Sequence, residues 1–314
     1  MKSSHWANMG ESTFVGGVWF LYGVYRLFGR LPFRLCLYPV VFCYWLTRSE
    51  ARRASLDYLR RLQSAHGTFA SDPNWRTSLR HFVCFAETLL DKTLAMAGHY
   101  PPNRLQFEGH DAILADLQAG RGGVVITAHL GCLELLQATA SLRAGPKINI
   151  LVHTAHAQRF NRILQRLNPE SSVRLLQVTE FSAPTAIMLA GRIAAGELVA
   201  IAGDRIPVTG DRILKLPFLG SLASFPAGPY LLASLLACPA YLLACLHDGD
   251  GYRVQFHKLA DQVHLPRASR TTAMTGYAGQ FAAWLEDRLR ESPLDWFNFY
   301  PFWDQVPHDA IKAS

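Results

Sequence analysis

The chain has 314 residues, which is long enough for one large domain or two small domains with a substantial core. Half of the residues are apolar, 18% are charged and the formal net charge is +7, so we expect an anionic partner: nucleic acid, anionic lipid or a phosphorylated substrate. The six cysteines lie among apolar residues without a C-x2-C pair. This pattern is typical of reduced core residues in a cytoplasm-facing protein, and it excludes a disulfide scaffold and a zinc site.

The positive charge is concentrated at the start of the chain. Residues 1–100 contain 12 basic and 6 acidic side chains, which gives +6 of the total +7, and the arginines are mixed with Trp, Phe, Leu and Tyr. Arginine mixed with aromatic residues serves both nucleic-acid and membrane binding. Since no recognised nucleic-acid module or solvated basic tail accompanies the pattern, we predict a membrane surface as the partner and no nucleic acid.

Residues 14–46 are the most hydrophobic part of the chain. Their uncharged runs, residues 12–25 and 35–47, contain 14 and 13 residues, and 14 helical residues span roughly 21 Å, short of a hydrocarbon core of about 30 Å. We therefore predict a helical hairpin that lies on the membrane with its arginines at the lipid phosphates. A single bilayer-crossing helix and an ordinary pair of buried helices are the alternatives. No signal peptide is predicted, because no small-residue cleavage site follows a typical signal core.

The pattern then divides the chain into two regions. Helices are predicted over residues 49–63 and 75–97, and Pro101 and Pro102 end this helical part. We therefore predict an N-terminal helical, membrane-associating region at 1–100 and an α/β region at 101–314.

Short apolar runs alternate with helical patterns in the second region. This alternation predicts an α/β layered fold, with a mainly parallel sheet flanked by helices. The turn D-G-D-G at 248–251 predicts a hairpin that adds an antiparallel strand at 252–257. Strands are expected at 105–108, 124–128, 148–152, 173–178, 198–202 and 241–245, and helices at 112–119, 133–142, 157–167, 184–194, 229–237 and 277–290.

The most informative stretch is R-G-G-V-V-I-T-A-H-L-G-C-L-E-L-L-Q at residues 121–137. Its β-branched run predicts a buried strand that enters a helix, with His129 and Glu134 at the exit. On one continuous helix these two side chains would face about 140° apart, so the chain must turn between them if they cooperate. Gly131 can take positive φ at little steric cost and permits that turn.

A histidine and a carboxylate at such a position are suited to general-base catalysis. Neutral His129 would take a proton from an acceptor hydroxyl that attacks an activated acyl group, while Glu134 would hold the ring in the required tautomer. A surface histidine beside a helix-capping glutamate is the alternative interpretation. We interpret the adjacent Cys132 as a packing residue.

Other candidates follow the apolar run at 198–202. Asp204 and Arg205 would stand at the carboxyl end of a strand, where ligands of open α/β sheets bind. Arg205 would hold a phosphate or polarise a thioester, and Asp204 would orient Arg205 or His129; a structural ion pair is the alternative.

Two more segments contain candidate binding residues. Gly220, Ser221 and Gly228 belong to a predicted bend at 218–228, where small residues and a helix start let a chain or an anion approach the backbone; a tight packing turn is the alternative. Arg159, Arg162 and Arg166 lie on one predicted helix face, at i, i+3 and i+7, near Asn161. That face would bind an acidic carrier protein or coenzyme phosphates unless it is simply a solvated surface.

The stretch D-W-F-N-F-Y-P-F-W at 295–303 has six aromatic residues among nine. Aromatic residues at such a density usually close a hydrophobic core. A floor for an acyl chain and a belt at the membrane interface are the functional alternatives.

Several of these motifs resemble one family. The stretch T-A-H-L-G-C-L-E resembles the first catalytic block of the lipid A biosynthesis lauroyl/myristoyl acyltransferases, a branch of the lysophospholipid acyltransferase superfamily, and the likeness is closest to members associated with aryl polyene biosynthesis. Further similar stretches are H-W-A-N-M-G-E-S at 5–12, G-D-R at 203–205, F-L-G-S-L-A-S-F-P-A-G at 218–228 and W-F-N-F-Y at 296–300. The family tends to have Asp-Gln where this chain has Asp204-Arg205, and a basic region where this chain has the aromatic stretch at 295–303.

The resemblance implies a transfer of a fatty, or aryl polyene, acyl group from acyl carrier protein or coenzyme A to a lipid or glycolipid hydroxyl. It also implies a peripheral or monotopic position on the cytoplasmic face of a bacterial inner membrane, with the thioester as co-substrate and no metal or bound cofactor. A lysophospholipid acyltransferase and a non-catalytic lipid or carrier-protein binding module are the alternative functions.

Overall fold

The structure is a computed structural model that describes residues 23–136, 147–152, 173–177, 182–206 and 213–304. The predicted helix at 157–167 and the stretch at 5–12 lie outside these residues.

Three long helices open the described chain. They are α1 (Arg30–Thr47), α2 (Ser49–His66) and α3 (Trp75–Met96). Gly67 ends α2 in the left-handed conformation, and a capping box at Asn74 starts α3, because its side chain accepts from the backbone N–H of Arg76 while Thr77 accepts from that of Asn74. The helices predicted at 49–63 and 75–97 are confirmed, apart from their exact ends.

A seven-stranded, mostly parallel sheet follows, as the sequence predicts. Its strands are β1 (Leu105–Glu108), β2 (Gly123–Gly131), β3 (Ile148–Val152), β4 (Val173–Gln177), β5 (Leu198–Ala202), β8 (Ala240–Asp248) and β9 (Gly251–Ala260). Their order in the sheet is β1-β9-β8-β2-β5-β3-β4. Strands β8, β2, β5, β3 and β4 are parallel to one another, and β9 pairs antiparallel with β8 through the predicted hairpin.

Four helices are described in the α/β region: α4 (Asp111–Gln118), α5 (Ala183–Ala194), α6 (Gly228–Leu236) and α7 (Arg270–Glu291). The last of them begins seven residues before the predicted helix at 277–290. The predicted helix at 133–142 begins as a short 3₁₀ turn, Leu133–Leu135, and the rest of it lies outside the described residues beyond 136.

The segment 218–228 differs from the bend that the sequence predicts. It contains strand β7 (Ser221–Pro226), which pairs with β6 (Ile213–Phe218) in a separate antiparallel hairpin. Leu219 and Gly220 make the two-residue turn, both with positive φ, as a tight hairpin loop requires. Ser221, Ala223 and Ser224 therefore lie in a strand, and Gly220 lies in the turn before it, rather than in an open bend.

Side-chain alternation along the central strands divides the core into two layers. In β2, Val124, Ile126 and Ala128 face one layer, which α6, α7 and the β6–β7 hairpin cover, whereas Val125 faces the other. The second layer contains residues of α1, α3 and α4. The helices before residue 100 thus share a core with the sheet, and the domain boundary near that residue stays a prediction.

Helix α1 is apolar on two sides. Its buried side packs against α3 through every fourth residue: Phe33, Leu37, Val41 and Trp45. A surface helix of a globular protein normally has a polar outer face, but Leu31 and Leu35 are 70% and 66% exposed here. Leu27, Phe28, Tyr38, Val40, Phe42, Tyr44 and Leu46 are also exposed.

The arginines of α1 are partly used within the chain. Arg30 pairs with Asp91 of α3 at 2.8 Å, and Arg34 pairs with Glu87 at 2.8 Å, so these two do not extend freely from the helix as the membrane prediction assumes. None of the helices in the described ranges has both the length and the hydropathy needed to cross a bilayer.

The turn after β2 depends on glycine at one position. Gly131 has φ of 62°, as predicted for the residue between His129 and Glu134. A Cβ at this position would lie 1.7 Å from the backbone O of Cys245, so no larger residue fits without displacing β8.

We therefore expect Gly131→Ala to lower the free energy of unfolding by more than about 3 kcal/mol, because steric overlap adds to the cost of the left-handed backbone. Gly67→Ala is the matched control, since Gly67 has φ of 60° and no atom within 4 Å of the added Cβ; it should lose only about 1–2 kcal/mol. Urea denaturation measures both. Equal losses in the two variants would contradict the role of close packing at Gly131.

Candidate active site

The carboxyl ends of β2 and β5 meet at the edge of the sheet. The two strands are parallel neighbours, paired through Thr127 and Ala202, and the backbone N–H of Gly203 donates to the O of Thr127 at 2.7 Å. A Cβ at Gly203 would lie 2.8 Å from the side chain of Ile126, so glycine lets the chain pass close to β2. The next residue, Asp204, is thereby placed beside His129.

Asp204 binds His129 through two hydrogen bonds. The backbone N–H of His129 donates to Oδ2 at 2.9 Å, and Nδ1 of its ring lies 2.8 Å from Oδ1. The carboxylate is fully buried, while 35% of the His129 side chain is exposed. No hydrogen bond of Nε2 is found within the described ranges, so this nitrogen is the one available to a substrate.

A short segment near the C-terminal end of the described chain completes the surroundings of Asp204. Residues Asp295, Trp296, Phe297 and Asn298 are called the 295–298 segment. Its Trp296 Nε1 and Asn298 Nδ2 donate to Oδ2 of Asp204 at 3.0 and 2.9 Å. Asp204 thus accepts four hydrogen bonds.

The 295–298 segment is also joined to β2 by backbone contacts. The N–H of Phe297 donates to the O of His129 at 2.8 Å, and the N–H of Gly131 donates to the O of Asp295 at 2.8 Å. The segment therefore fixes His129 and Gly131, which lie on either side of Leu130, and with them the direction of the His129 side chain.

The charges of the site favour a neutral histidine beside an ionised carboxylate. Burial raises the pKa of Asp204, but the His129 ring, its hydrogen bonds and Arg205 outweigh burial and hold this pKa well below its usual range. Burial and the charge of Arg205 lower the pKa of His129 below 6.5, against the opposing effect of Asp204. Neutral His129 then donates its Nδ1 proton to Asp204 and presents an unprotonated Nε2.

Arg205 is held at the edge of this site. Its Nε donates to Oδ1 of Asn298 at 2.9 Å, its Nη2 donates to the O of Phe297 at 3.3 Å, and its guanidinium lies 5.6 Å from the centre of the Tyr300 ring. Asn298 therefore bridges Asp204 and Arg205. Of the two partners that the sequence allows for Asp204, the structure shows His129 as the one with direct hydrogen bonds.

The structure gives Glu134 different partners from those expected. Its carboxylate lies 2.5 Å from Nζ of Lys92 and accepts from the Cys132 thiol at 3.8 Å, and no hydrogen bond to His129 is found in the described part. The 3₁₀ turn after Gly131 directs Glu134 toward α3 instead. Burial would raise the pKa of Glu134, but Lys92 lowers it overall, so Glu134 balances the positive charge of Lys92. Burial raises the pKa of the Cys132 thiol, in agreement with a packing role.

A second histidine–aspartate pair lies on the other side of the 295–298 segment. The N–H of His247 donates to Oδ2 of Asp295 at 2.7 Å, and its Nδ1 lies 2.5 Å from Oδ1, in the same pattern as His129 and Asp204. Nε2 of His247 is occupied by the hydroxyl of Tyr252 at 2.7 Å. Both ring nitrogens of His247 are therefore bound, which indicates a structural pair.

The same pair includes the one metal-like cluster found among the described residues. Ligand atoms of Cys84, His247 and Asp295 lie within 4.8 Å of one another. The Cys84 thiol donates to Oδ1 of Asp295 at 3.4 Å, and burial raises the pKa of this thiol. Hydrogen bonds of the Cys84 thiol and the His247 ring to the Asp295 carboxylate, whose pKa is lowered, account for the close approach of these three groups.

The remaining predicted residues lie apart from this constellation or outside the description. Gly220 is in the turn of the β6–β7 hairpin, and Ser221 accepts from Arg61 of α2 at 2.6 Å. Gly228 begins α6, with open space where a Cβ would be. Their proposed contact with substrate stays a prediction. Arg159, Asn161 and Arg162 lie outside the described residues.

The sequence reasoning missed Trp296, Asn298 and Lys92 as parts of the site. It treated the stretch at 295–303 as an aromatic cluster. A usable signal was present, because Asp295 and Asn298 are polar residues in an otherwise aromatic run, and buried polar side chains need partners. The identity of those partners is a property of the tertiary structure.

Comparison with known proteins supports a class of enzyme. No family model matches the chain. The chain is 25% identical over 216 residues to the phosphatidylinositol mannoside acyltransferase of Mycolicibacterium smegmatis, and the matching part covers 65% of this chain and 64% of that protein. This similarity supports an enzyme that transfers acyl groups. It does not test whether the chain belongs to the lipid A or aryl polyene branch, so membership of that branch stays a prediction.

Asn298 provides a test of how the site is held. We expect Asn298→Ala to lower the free energy of unfolding by about 1–3 kcal/mol, because Asp204 and Arg205 each lose a hydrogen bond in a buried place. Asn103 is exposed, so Asn103→Ala should stay within about 0.5 kcal/mol of the unchanged protein. Thermal or urea denaturation distinguishes the two. An Asn298→Ala protein as stable as the control would show that the bridge is unimportant.

Proposed function

We propose that the protein transfers an acyl group from an acyl thioester to the hydroxyl of a lipid, with His129 as the general base. The observation that carries the proposal is the pair of hydrogen bonds between His129 and buried Asp204, which leaves Nε2 of a partly exposed, neutral ring for the acceptor. The similarity to a named acyltransferase supports the reaction class. The donor is the thioester of acyl carrier protein or coenzyme A.

In the proposed reaction, Nε2 of His129 takes the proton of the acceptor hydroxyl as its oxygen attacks the thioester carbon. A tetrahedral intermediate forms, and its collapse breaks the carbon–sulfur bond. The imidazolium returns the proton to the leaving thiolate, so that the products are an ester and a thiol. Asp204 stabilises the imidazolium without taking its proton.

Arg205 and Asn298 contribute differently to this reaction. Arg205, held by Asn298 and the O of Phe297, offsets negative charge on the thioester oxygen in the proposed intermediate. Asn298 positions both Arg205 and Asp204. We place Glu134 in a supporting role, because its carboxylate neutralises Lys92, whose charge otherwise lowers the pKa of His129 further.

The outer face of α1 supports a membrane as the place of action. Exposed leucine and aromatic side chains cover this face, and contiguous apolar surface of this kind marks interaction with membranes or other proteins. The charge of +6 in residues 1–100 favours an anionic bilayer. We propose peripheral binding to the cytoplasmic face of a bacterial inner membrane, close to the lipid acceptor.

Three substitutions rank the roles of the site residues. We expect His129→Ala to reduce acyl transfer by a factor on the order of 10² to 10⁴, since the general base is lost. Asp204→Asn should cost a similar factor, because an amide would select the wrong ring tautomer, whereas Glu134→Gln should cost less than about tenfold, the modest effect expected when only a neighbouring charge is removed. Mass spectrometry of lipid extracts incubated with a defined acyl thioester measures product.

Denaturation curves of the same variants serve as the control for folding. Wild-type transfer by His129→Ala would end the assignment of His129 as the general base. Co-purified lipid without any acyl transfer by the unchanged protein would favour the non-catalytic lipid-binding module. A larger loss of acyl transfer in Glu134→Gln than in Asp204→Asn would show that Glu134, not Asp204, orients the His129 ring.

The rate should depend on pH through His129. The base is active only when neutral, and burial with Arg205 lowers its pKa, so the midpoint of the acidic decline in kcat/KM should lie below pH 6.5. Arg205→Gln removes a positive charge and should move this decline toward higher pH, whereas Arg267→Gln, at an exposed position, should not. A decline with its midpoint above pH 6.5 that is the same in all three proteins would exclude His129 as the titrating group.

A further inference from the structure

A cleft lies at the start of α1, away from the groups that the proposed reaction uses. It encloses about 500 Å³, part of it open to solvent, between the first residues of α1, the last turns of α3 and the segment 100–104. Its polar lining includes Tyr25, Arg30, Asp91, Tyr100 and Arg104. The proposed function gives this cleft no role.

Two polar atoms in the walls of the cleft have no hydrogen-bond partner among the residues that the structure describes. Tyr100 is only 3% exposed, and its hydroxyl makes no hydrogen bond within the described ranges; the same holds for Nε of Arg30. A buried polar group without a partner costs about 1–3 kcal/mol. Asp91, Arg30, Arg104 and Tyr100 all line this one cleft.

The donors in the cleft are suited to an anion. Asp91 is occupied, because it binds Nη2 of Arg30 at 2.8 Å and the hydroxyl of Tyr252 at 3.0 Å. Arg104 is exposed, and with one carboxylate against two guanidinium groups the cleft has a net charge of +1.

The neighbouring surface indicates the source of the anion. Leu27, Phe28 and Leu31 are 77%, 66% and 70% exposed directly beside Gly29 and Arg30 of the cleft. An anion bound here would therefore lie next to apolar side chains that are exposed to solvent. A phospholipid supplies both parts, a phosphate for the arginines and acyl chains for the leucines.

We propose that this cleft binds the phosphate group of an anionic membrane phospholipid and thereby fixes the orientation of the enzyme on the bilayer. The proposal rests on the membrane-surface part of the proposed function, but not on catalysis. It assigns Arg104 and the hydroxyl of Tyr100 to the phosphate, with Arg30 held in place by Asp91.

The full-length protein can be tested by co-sedimentation with vesicles. One set contains phosphatidylcholine alone and the other equal parts of phosphatidylcholine and phosphatidylglycerol. Arg104→Gln should weaken binding to the anionic vesicles about fivefold, and Tyr100→Phe, which keeps the ring, about threefold. On phosphatidylcholine alone the variants should match the unchanged protein. Tyr100→Phe removes an unpaired hydroxyl, so it should not lower the melting temperature.

Arg267→Gln is the matched control, because it removes the same charge from an exposed arginine outside the cleft; it should change binding less than twofold by the surface-charge argument. Equal weakening by Arg104→Gln and Arg267→Gln would show general charge attraction and overturn the proposal. Unchanged vesicle binding by Tyr100→Phe would also overturn the proposal, because water in the cleft would then be enough to satisfy the hydroxyl.

Glycerol 3-phosphate, added without vesicles, separates the two sources of phosphate. If it binds in an Arg104-dependent way while vesicle binding does not depend on Arg104, the cleft is a site for a soluble phosphate and the lipid proposal fails. Sedimentation requires no turnover, so this outcome is distinguishable from failure of the proposed reaction: His129→Ala should bind vesicles as the unchanged protein does.

Discussion

The site depends on one buried carboxylate, that of Asp204. A buried charge is tolerated only when hydrogen bonds replace its hydration, and Asp204 receives four of them, from the backbone and ring of His129 and from Trp296 and Asn298. Removing any donor leaves the charge less compensated. The chain must therefore bring β2, β5 and the 295–298 segment together in one arrangement, and that arrangement is also the one in which His129 can act as a base.

The 295–298 segment joins parts of the fold that are distant in sequence. On one side Asp295 binds His247 at the end of β8, and on the other Asn298 and Trp296 bind Asp204 at the end of β5. The two histidine–aspartate pairs have the same hydrogen-bond pattern. They differ at the second ring nitrogen, because the Tyr252 hydroxyl binds Nε2 of His247, whereas no hydrogen bond of His129 Nε2 is found among the described residues. The same hydrogen-bond pattern thus forms a structural pair in one place and, in the proposed reaction, holds the general base in the other.

The sequence predicts what local patterns determine. The apolar runs locate the strands, and H-x4-E with its glycine locates His129 and the turn at Gly131, because steric constraints on glycine and strand burial are local. It leaves the partner of Asp204 open between His129 and Arg205, and it assigns Glu134 to the ring although Glu134 binds Lys92. These contacts are set by how the strand ends and α3 meet, which no spacing along the chain encodes.

The same reasoning explains why α1 is harder to interpret than the sheet. A hydrophobic helix with short uncharged runs fits a membrane surface or a buried position, and the structure shows both properties in one helix: a buried stripe on α3 and an apolar outer face. The ion pairs of Arg30 and Arg34 with α3 fix which face is outward. Because those pairs neutralise arginines that the sequence alone would place at lipid phosphates, the proposed attraction to an anionic bilayer depends on basic residues outside these two pairs, and Arg104, in the cleft at the start of α1, is one of them.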